Sequence, residues 1–174
     1  MDSLIKKTAL LSGLLLISLV SFPQCEIQNR VSATGSMVYF MEPVNFYWTS
    51  SKSLNGCIST DKESYFLELF PIPFPEKPAG NDLKDNLELK LSGGKTCTLE
   101  HFDSRYIRKD TVFKLVYLIE NKDLELLTNF EVTEARINMN GDEGIRAYVF
   151  KLHKAALMEQ LNCFLKEAEE EKKK

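Results

Sequence analysis

The fold class is decided by residues 117–164, YLIENKDLELLTNFEVTEARINMNGDEGIRAYVFKLHKAALMEQLNCF. The apolar, β-branched run at 111–119 leads into this stretch as a predicted strand. NKDLELLTN follows it with the spacing of a short helix near 121–128. Two more strands are predicted at 130–140 and 145–152, because apolar and polar residues alternate on both sides of a Gly-Asp-Glu-Gly turn. The order of strand, short helix and hairpin is typical of an α+β domain.

The last predicted element is an amphipathic helix from about Lys154 to Lys172. At about 100° per residue one apolar stripe runs along it. The stripe is formed by Leu157, Leu161, Phe164, Leu165 and Ala168. It predicts that the helix packs on one face of a sheet. The charged tail at 167–174 places Glu before Lys at helical spacing, which is typical of a solvated, fraying helix end.

Further strands are predicted where β-branched and aromatic residues cluster between turn signals. One or two lie in the aromatic stretch 34–48, one lies at 64–70, and a hairpin lies at 87–102. Residues 50–56 and the proline-rich segment 71–82 are predicted loops. The chain is therefore expected to form an antiparallel sheet of about six to eight strands with the C-terminal helix on one face. A β-sandwich with an appended helix is the alternative.

The N-terminus predicts export. Lys6 and Lys7 precede an apolar run at 8–20, which is shorter than the about 20 residues that a membrane-spanning helix needs. A short apolar core behind a basic flank is typical of a secretory signal, so residues 1–24 are predicted to be a signal peptide. Residues 25–174 are then a single exported α+β domain. No later apolar stretch approaches spanning length, so no transmembrane span is expected in the mature chain.

The cysteines are the first candidate site residues. An even count of four in an exported chain favours two disulfides, and four cysteines allow three pairings. Cys163 lies off the apolar stripe of the predicted helix, which favours a bond to a neighbouring segment. The preferred pairing is Cys25–Cys163 with Cys57–Cys97. A lipid anchor on Cys25 is the alternative use of that residue, although Gln24 before it makes a poor lipobox.

The charge balance excludes some partners. The formal net charge is −3, so the chain lacks the basic surface that nucleic acids or anionic lipids require. A hydrophobic content of 44% argues against disorder. The expected partner is an unidentified protein or small ligand.

No catalytic, cofactor-binding or metal site is predicted, because each motif that suggests one fails. SGGKT at 92–96 lacks the first glycine of a phosphate-binding loop, and NMNGDEG at 138–144 lacks the central glycine and final carboxylate of a calcium loop. His101, Asp103 and His153 could hold a metal only if the fold joined them, and nothing in the sequence places them together. A small hydrolase or metal-dependent enzyme is therefore the minor alternative, and no cofactor is expected.

Aromatic residues are concentrated just before a serine-rich segment. Core packing accounts for most of them. Phe46, Tyr47 and Trp48 are nevertheless the predicted interaction patch, because aromatic side chains are enriched at protein interfaces.

Residues 117–164 resemble a recurring C-terminal pattern of small, uncharacterised exported proteins from Bacteroidetes-type bacteria. In that pattern a strand leads into a short helix containing D-L-x-x-L, here residues 123–127. A strand with an arginine follows, here residues 134–137, and then a glycine turn, a strand and a helix that ends near a cysteine. The resemblance implies export and the α+β fold, and it carries no activity and no catalytic residue.

These observations predict a non-catalytic exported domain of the bacterial envelope, either periplasmic or secreted. It would act by binding or as a structural accessory. A lipid-anchored surface lipoprotein is the alternative.

Overall fold

The structure, a computed structural model, describes residues 25–32, 35–75, 85–107 and 112–173. The predicted signal peptide at 1–24 lies outside the described residues. The strands are β1 (Gln28–Val31), β2 (Met37–Phe40), β3 (Val44–Trp48), β4 (Ser53–Thr60), β5 (Tyr65–Ile72), β6 (Leu87–Leu91), β7 (Thr96–Ile107), β8 (Val112–Ile119), β9 (Val132–Asn138) and β10 (Ile145–Val149). The helices are α1 (Asn121–Asn129) and α2 (Ala156–Glu171), and single 3₁₀ turns lie at Ser92–Gly94 and Gly141–Glu143.

The strands form one antiparallel sheet in the order β1-β2-β4-β5-β8-β7-β6-β9-β10, with β3 also paired to β4. Because β5 pairs with β4 along its whole length, β3 and β2 share the other edge of β4. The long strand β7 pairs with β6 through its first residues and with β8 through the rest. β7 therefore connects two halves of the sheet. One half contains β1 to β5 and β8, and the other contains β6, β9 and β10.

The two halves of the sheet meet again at β3. Directly after β10, the backbone N–H groups of Lys151 and Leu152 donate to the carbonyl of Phe46, at 3.1 and 3.4 Å. Phe46 is skipped by the register shift between Asn45 and Tyr47 in the β3–β4 ladder, which is the signature of a β-bulge. The bulge thus gives the segment after β10 a backbone hydrogen-bond partner on β3.

The core follows from the alternation of residues along the strands. In β6 the three leucines are buried and the residues between them are half-buried, as the sequence predicts. Their side chains pack with those of β4, β5, β7 and β8 and with the apolar side of α2. On α2 the buried apolar residues are Ala156, Leu157, Leu161 and Phe164. The helix is therefore part of the main core.

A side-chain amide attaches α2 to an unpaired position in the sheet. Between the parts of β4 that pair with β3 and with β2, the N–H of Ile58 donates to Oε1 of Gln160 at 2.7 Å. Nε2 of Gln160 donates to the carbonyl of Glu42 at 3.3 Å, and the N–H of Met41 donates to the carbonyl of Ile58 at 3.3 Å. Buried backbone groups need hydrogen-bond partners. The Gln160 side chain of α2 is the partner of the Ile58 N–H, which no neighbouring strand accepts.

The α+β fold with a short helix and a C-terminal helix is confirmed, and the strand count is higher than predicted. The described residues form ten strands, where six to eight were expected. One addition is β1, whose polar sequence gave no strand signal, because its pairing with β2 overrides weak β propensity. In addition, β4 begins at Ser53 within the predicted loop 50–56, and β5 extends through Ile72 into the predicted loop 71–82. The sheet is continuous, unlike the sandwich alternative.

A buried carboxylate on β5 holds the edge strand β1 through an ion pair. Glu68 lies on β5 between core residues, so its own side chain points away from the core. Arg30 of β1 donates to both Glu68 oxygens, at 2.7 and 3.0 Å, and Lys114 of β8 lies 2.9 Å away. The hydroxyl of Ser59 donates to the same carboxylate at 3.0 Å. Burial alone would raise the pKa of Glu68, but Lys114 and Arg30 outweigh it and lower that pKa below its ordinary value.

We expect Glu68→Gln to lower the free energy of unfolding by about 3 kcal/mol near neutral pH, because Lys114 and Arg30 would lose the anion between them. A carboxylate with a lowered folded-state pKa stabilises the fold above its unfolded pKa, and this contribution is lost as the pH falls through the folded value. The difference from wild type should therefore shrink below the ordinary Glu pKa of 4.5. Urea unfolding over a series of pH values measures both effects.

Glu88→Gln is the matched control, since Glu88 pairs with Arg136 at 3.6 Å and its side chain is 43% exposed, against 3% for Glu68. It should cost less than about 1 kcal/mol. Equal losses in the two variants would contradict a special role for Glu68.

Candidate functional site

One disulfide joins the start of the described chain to α2. The Sγ atoms of Cys25 and Cys163 are bonded at 2.07 Å, with 5.6 Å between the Cα atoms and 138 residues between them in sequence. This half of the predicted pairing is confirmed. The bond ties the segment that leads into β1 to the middle of the C-terminal helix.

The predicted Cys57–Cys97 disulfide is wrong, because both residues are buried free cysteines. Cys57 lies on β4 and Cys97 on β7, and strands β5 and β8 separate them in the sheet. The Cys97 side chain packs in the core and donates to Oδ1 of the buried Asp123 at 3.4 Å. Burial raises the pKa of each thiol to about 12, so both are unreactive near neutral pH.

The predicted aromatic patch is divided by the bulge in β3. The prediction that Phe46 belongs to an interaction patch is wrong. Phe46 is fully buried and stacks on Phe150 with ring centroids 4.3 Å apart. Tyr47 is half-buried and meets Tyr148 edge-on at 5.5 Å. Trp48 is 68% exposed. Of the three residues in the predicted patch, Trp48 alone has a mostly exposed side chain. Its role in binding stays a prediction.

The structure does not join the histidines into a site. His101 lies in β7 and meets the ring of Tyr117 edge-on at 5.9 Å, while His153 is exposed in the segment between β10 and α2. Asp103, near His101 on β7, forms an ion pair with Arg105. Within the described part of the chain, no group of three or more His, Cys, Asp or Glu residues could hold a metal ion.

The strongest candidate site is a groove of about 350 Å³ between the C-terminal half of α2 and the strands β2, β4 and β5. We call it the α2 groove. Its lining residues are Tyr39, Thr60, Lys62, Tyr65, Phe164, Glu167, Ala168, Glu171 and Lys172.

Strand register builds the sheet-side wall of the α2 groove. Tyr39 of β2 lies opposite Thr60 of β4, and Thr60 lies opposite Tyr65 of β5. The three side chains therefore form one row across three neighbouring strands. Burial raises the pKa of Tyr65 above its ordinary value, so its hydroxyl stays neutral and acts as a hydrogen-bonding group.

Helix periodicity builds the opposite wall. Phe164, Ala168 and Glu171 recur at intervals of four and three residues and share one face of α2. The Phe164 ring lies against the Tyr65 ring, with 6.5 Å between centroids. The floor of the groove is thus aromatic, and the small Ala168 side chain leaves room above it.

An ion pair spans the mouth of the α2 groove. Nζ of Lys62 lies 2.9 Å from both carboxylate oxygens of Glu171 and 4.9 Å from the ring centroid of Tyr39. The Glu171 carboxylate raises the pKa of Lys62, so the amine is fully protonated at neutral pH. The site therefore combines an aromatic floor with one cation between a ring and a carboxylate.

The turn that presents Lys62 is fixed by its own side chains. Lys62 has a left-handed backbone with φ of 77°, a conformation that few non-glycine residues adopt. Its N–H donates to Oγ1 of Thr60 at 3.0 Å, and that hydroxyl donates to the carbonyl of Ser64 at 2.8 Å. Oδ1 of Asp61 accepts the N–H groups of Glu63 and Ser64. The lysine is therefore held at the groove by the backbone of a structured turn.

The α2 groove is lined by aromatic, charged and hydroxyl-bearing side chains. It contains no histidine or cysteine, and the hydroxyl of its threonine is engaged in the turn. The amine of Lys62 is paired with the Glu171 carboxylate at 2.9 Å. A second, more polar cleft of about 300 Å³ lies beside the disulfide and shares Glu167 with the groove.

The sequence did not indicate the α2 groove. Tyr39 belongs to an aromatic stretch that core packing explains, and Lys62 belongs to a polar turn that resembles any solvent-exposed loop. Phe164 and Ala168 were correctly placed on the apolar stripe of the helix, but the stripe gave no sign that it borders a groove. Comparison of the chain with protein-family models, curated proteins and solved structures finds no match.

Thiol counting tests the cysteine assignment. After unfolding without reductant, we expect two reactive thiols per chain, from Cys57 and Cys97. The folded protein should react far more slowly, because burial and a pKa of about 12 keep both thiols protonated and inaccessible. Four thiols would mean that the Cys25–Cys163 bond does not form, and none would mean that Cys57 and Cys97 are also oxidised.

Proposed function

We propose that this protein is a non-catalytic exported domain of the bacterial envelope that binds a small amphipathic molecule in the α2 groove. The observation that carries the proposal is the pairing of three aromatic rings, Tyr39, Tyr65 and Phe164, with an ion pair at the mouth of one concave site. Small-molecule sites are concave, mostly apolar and supplied with few polar groups, with volumes of about 300–1,000 Å³. At about 350 Å³ the groove fits a ligand of modest size.

Export is supported by the predicted signal peptide at 1–24 and by the Cys25–Cys163 disulfide, since disulfides persist in oxidising compartments. Within the described residues, no helix has the length and apolar character needed to cross a bilayer. The disulfide engages the sulfur of Cys25, which favours the unanchored form of the domain over the lipoprotein. The resemblance to small exported proteins of Bacteroidetes-type bacteria points to the same compartment.

Filling the α2 groove tests the proposal. A panel of water-soluble aromatic fragments, with cationic, anionic and neutral members, is titrated into the protein and followed by NMR. We expect at least one charge class to shift the resonances of Tyr39, Tyr65 and Phe164 and to saturate. Ala168→Trp should weaken that binding more than about tenfold, because the indole occupies the space above the aromatic floor.

Ala147→Trp is the matched control, since Ala147 is exposed on β10, outside the groove lining. It should leave fragment binding unchanged. The proposal is wrong if no fragment of any charge binds, or if binding survives Ala168→Trp undiminished.

A further inference from the structure

The α2 groove already contains the contacts that recognise an organic cation. Nζ of Lys62 lies 4.9 Å from the centroid of the Tyr39 ring and 2.9 Å from both oxygens of Glu171. A cation within about 6 Å of an aromatic centroid is attracted by the ring quadrupole, and the Glu171 carboxylate adds an ion pair to the same cation. Lys62 thus occupies a position that suits any ammonium group.

The charges around this position favour a cation over an anion. Glu167 and Glu171 line the groove, and Glu170 lies on the same helical turn, facing the neighbouring cleft. The position is also at the C-terminal end of α2, where the helix dipole is negative and stabilises positive charge. An anionic ligand would have to displace Glu171 from Lys62 and then lie beside Glu167. A cationic ligand meets two like charges in the lining, Lys172 and Lys62, and Lys62 is the one that it would replace.

Lys62 can leave this position at small cost. The Lys62 and Glu171 side chains are each about half exposed, at 49% and 52%. Exposed ion pairs contribute little to stability, because solvent screens them and both long side chains lose rotamer freedom. A ligand cation that is less strongly hydrated than a primary ammonium would gain more from the Tyr39 ring than Lys62 does.

We infer that the α2 groove binds an organic ammonium compound whose charged nitrogen replaces Nζ of Lys62 between Tyr39 and Glu171. The apolar part of the compound lies on Tyr65 and Phe164, whose rings form the floor. In the free protein the Lys62 ammonium is the internal occupant of this cation position. It moves into solvent when the ligand enters. This inference rests on the proposed binding function of the groove and names its ligand class.

The test is calorimetric titration of the whole exported domain with three probes that share a phenyl group. Benzyltrimethylammonium is the cation, 3-phenylpropionate the anion and 3-phenylpropanamide the neutral compound. We expect the cation to bind and the other two to bind at least about tenfold more weakly. Tyr39→Leu should weaken binding of the cation by about three- to thirtyfold, since it removes the ring that faces the charge.

Lys62→Ala is the decisive variant. By removing the internal occupant it should tighten binding of benzyltrimethylammonium by about two- to fivefold. Lys151→Ala is the matched control, because Nζ of Lys151 lies 5.4 Å from the ring centroid of Tyr47, in a similar pairing outside the groove lining. It should leave the affinity unchanged. Thermal unfolding confirms that each variant is folded.

The outcomes separate this inference from the function on which it rests. If the anion or the neutral probe binds best and Ala168→Trp abolishes that binding, the groove is a binding site and the inference about ammonium ligands is wrong. Unchanged or weaker binding of the cation to Lys62→Ala also overturns it. If no probe of any charge binds, both the inference and the binding function fail.

Discussion

The position of α2 depends on one buried amide. β4 pairs with β3 at one end and with β2 at the other, and Ile58 between them would have an unpaired N–H without Gln160. An unsatisfied buried donor costs about 1–3 kcal/mol, so the hydrogen bond at 2.7 Å fixes the register of the helix on the sheet. One turn further along the same helix, Phe164 reaches the ring of Tyr65. The α2 groove therefore exists where it does because a gap in a β-ladder is filled by a helix.

The sheet-side wall of the α2 groove is held in place by two contacts from the N-terminal segment. Cys25 bonds to Cys163 on α2, and Arg30 on β1 bonds to the buried Glu68 on β5. In the chain-entropy model, a disulfide that closes a loop of more than 100 residues contributes about 5 kcal/mol. Together the two contacts hold the β1–β2 hairpin, which carries Tyr39, beside the helix that carries Glu171. The sheet-side wall and the helix wall of the groove are thus fixed by interactions that lie outside it.

Local sequence patterns predicted individual strands and helices. They did not predict the features that depend on how those elements pack together. Alternating leucines predicted β6, helical spacing predicted α2, and the off-stripe position of Cys163 favoured its bond to Cys25. The error over Cys57 and Cys97 arose because sheet order, which no local pattern encodes, puts two strands between them. Phe46 faces inward because a bulge shifts the register of β3. The groove itself joins residues 39, 62 and 171, which come together only through strand pairing and helix docking.

The proposed ligand of the α2 groove is a small organic cation. The most direct measurement is a set of intermolecular NOEs between the methyl protons of benzyltrimethylammonium and protein labelled at its alanine methyl groups and tyrosine rings. We expect NOEs to the Tyr39 ring and to the methyl group of Ala168, both of which line the groove. NOEs to other parts of the surface, with none to Tyr39 or Ala168, would contradict it.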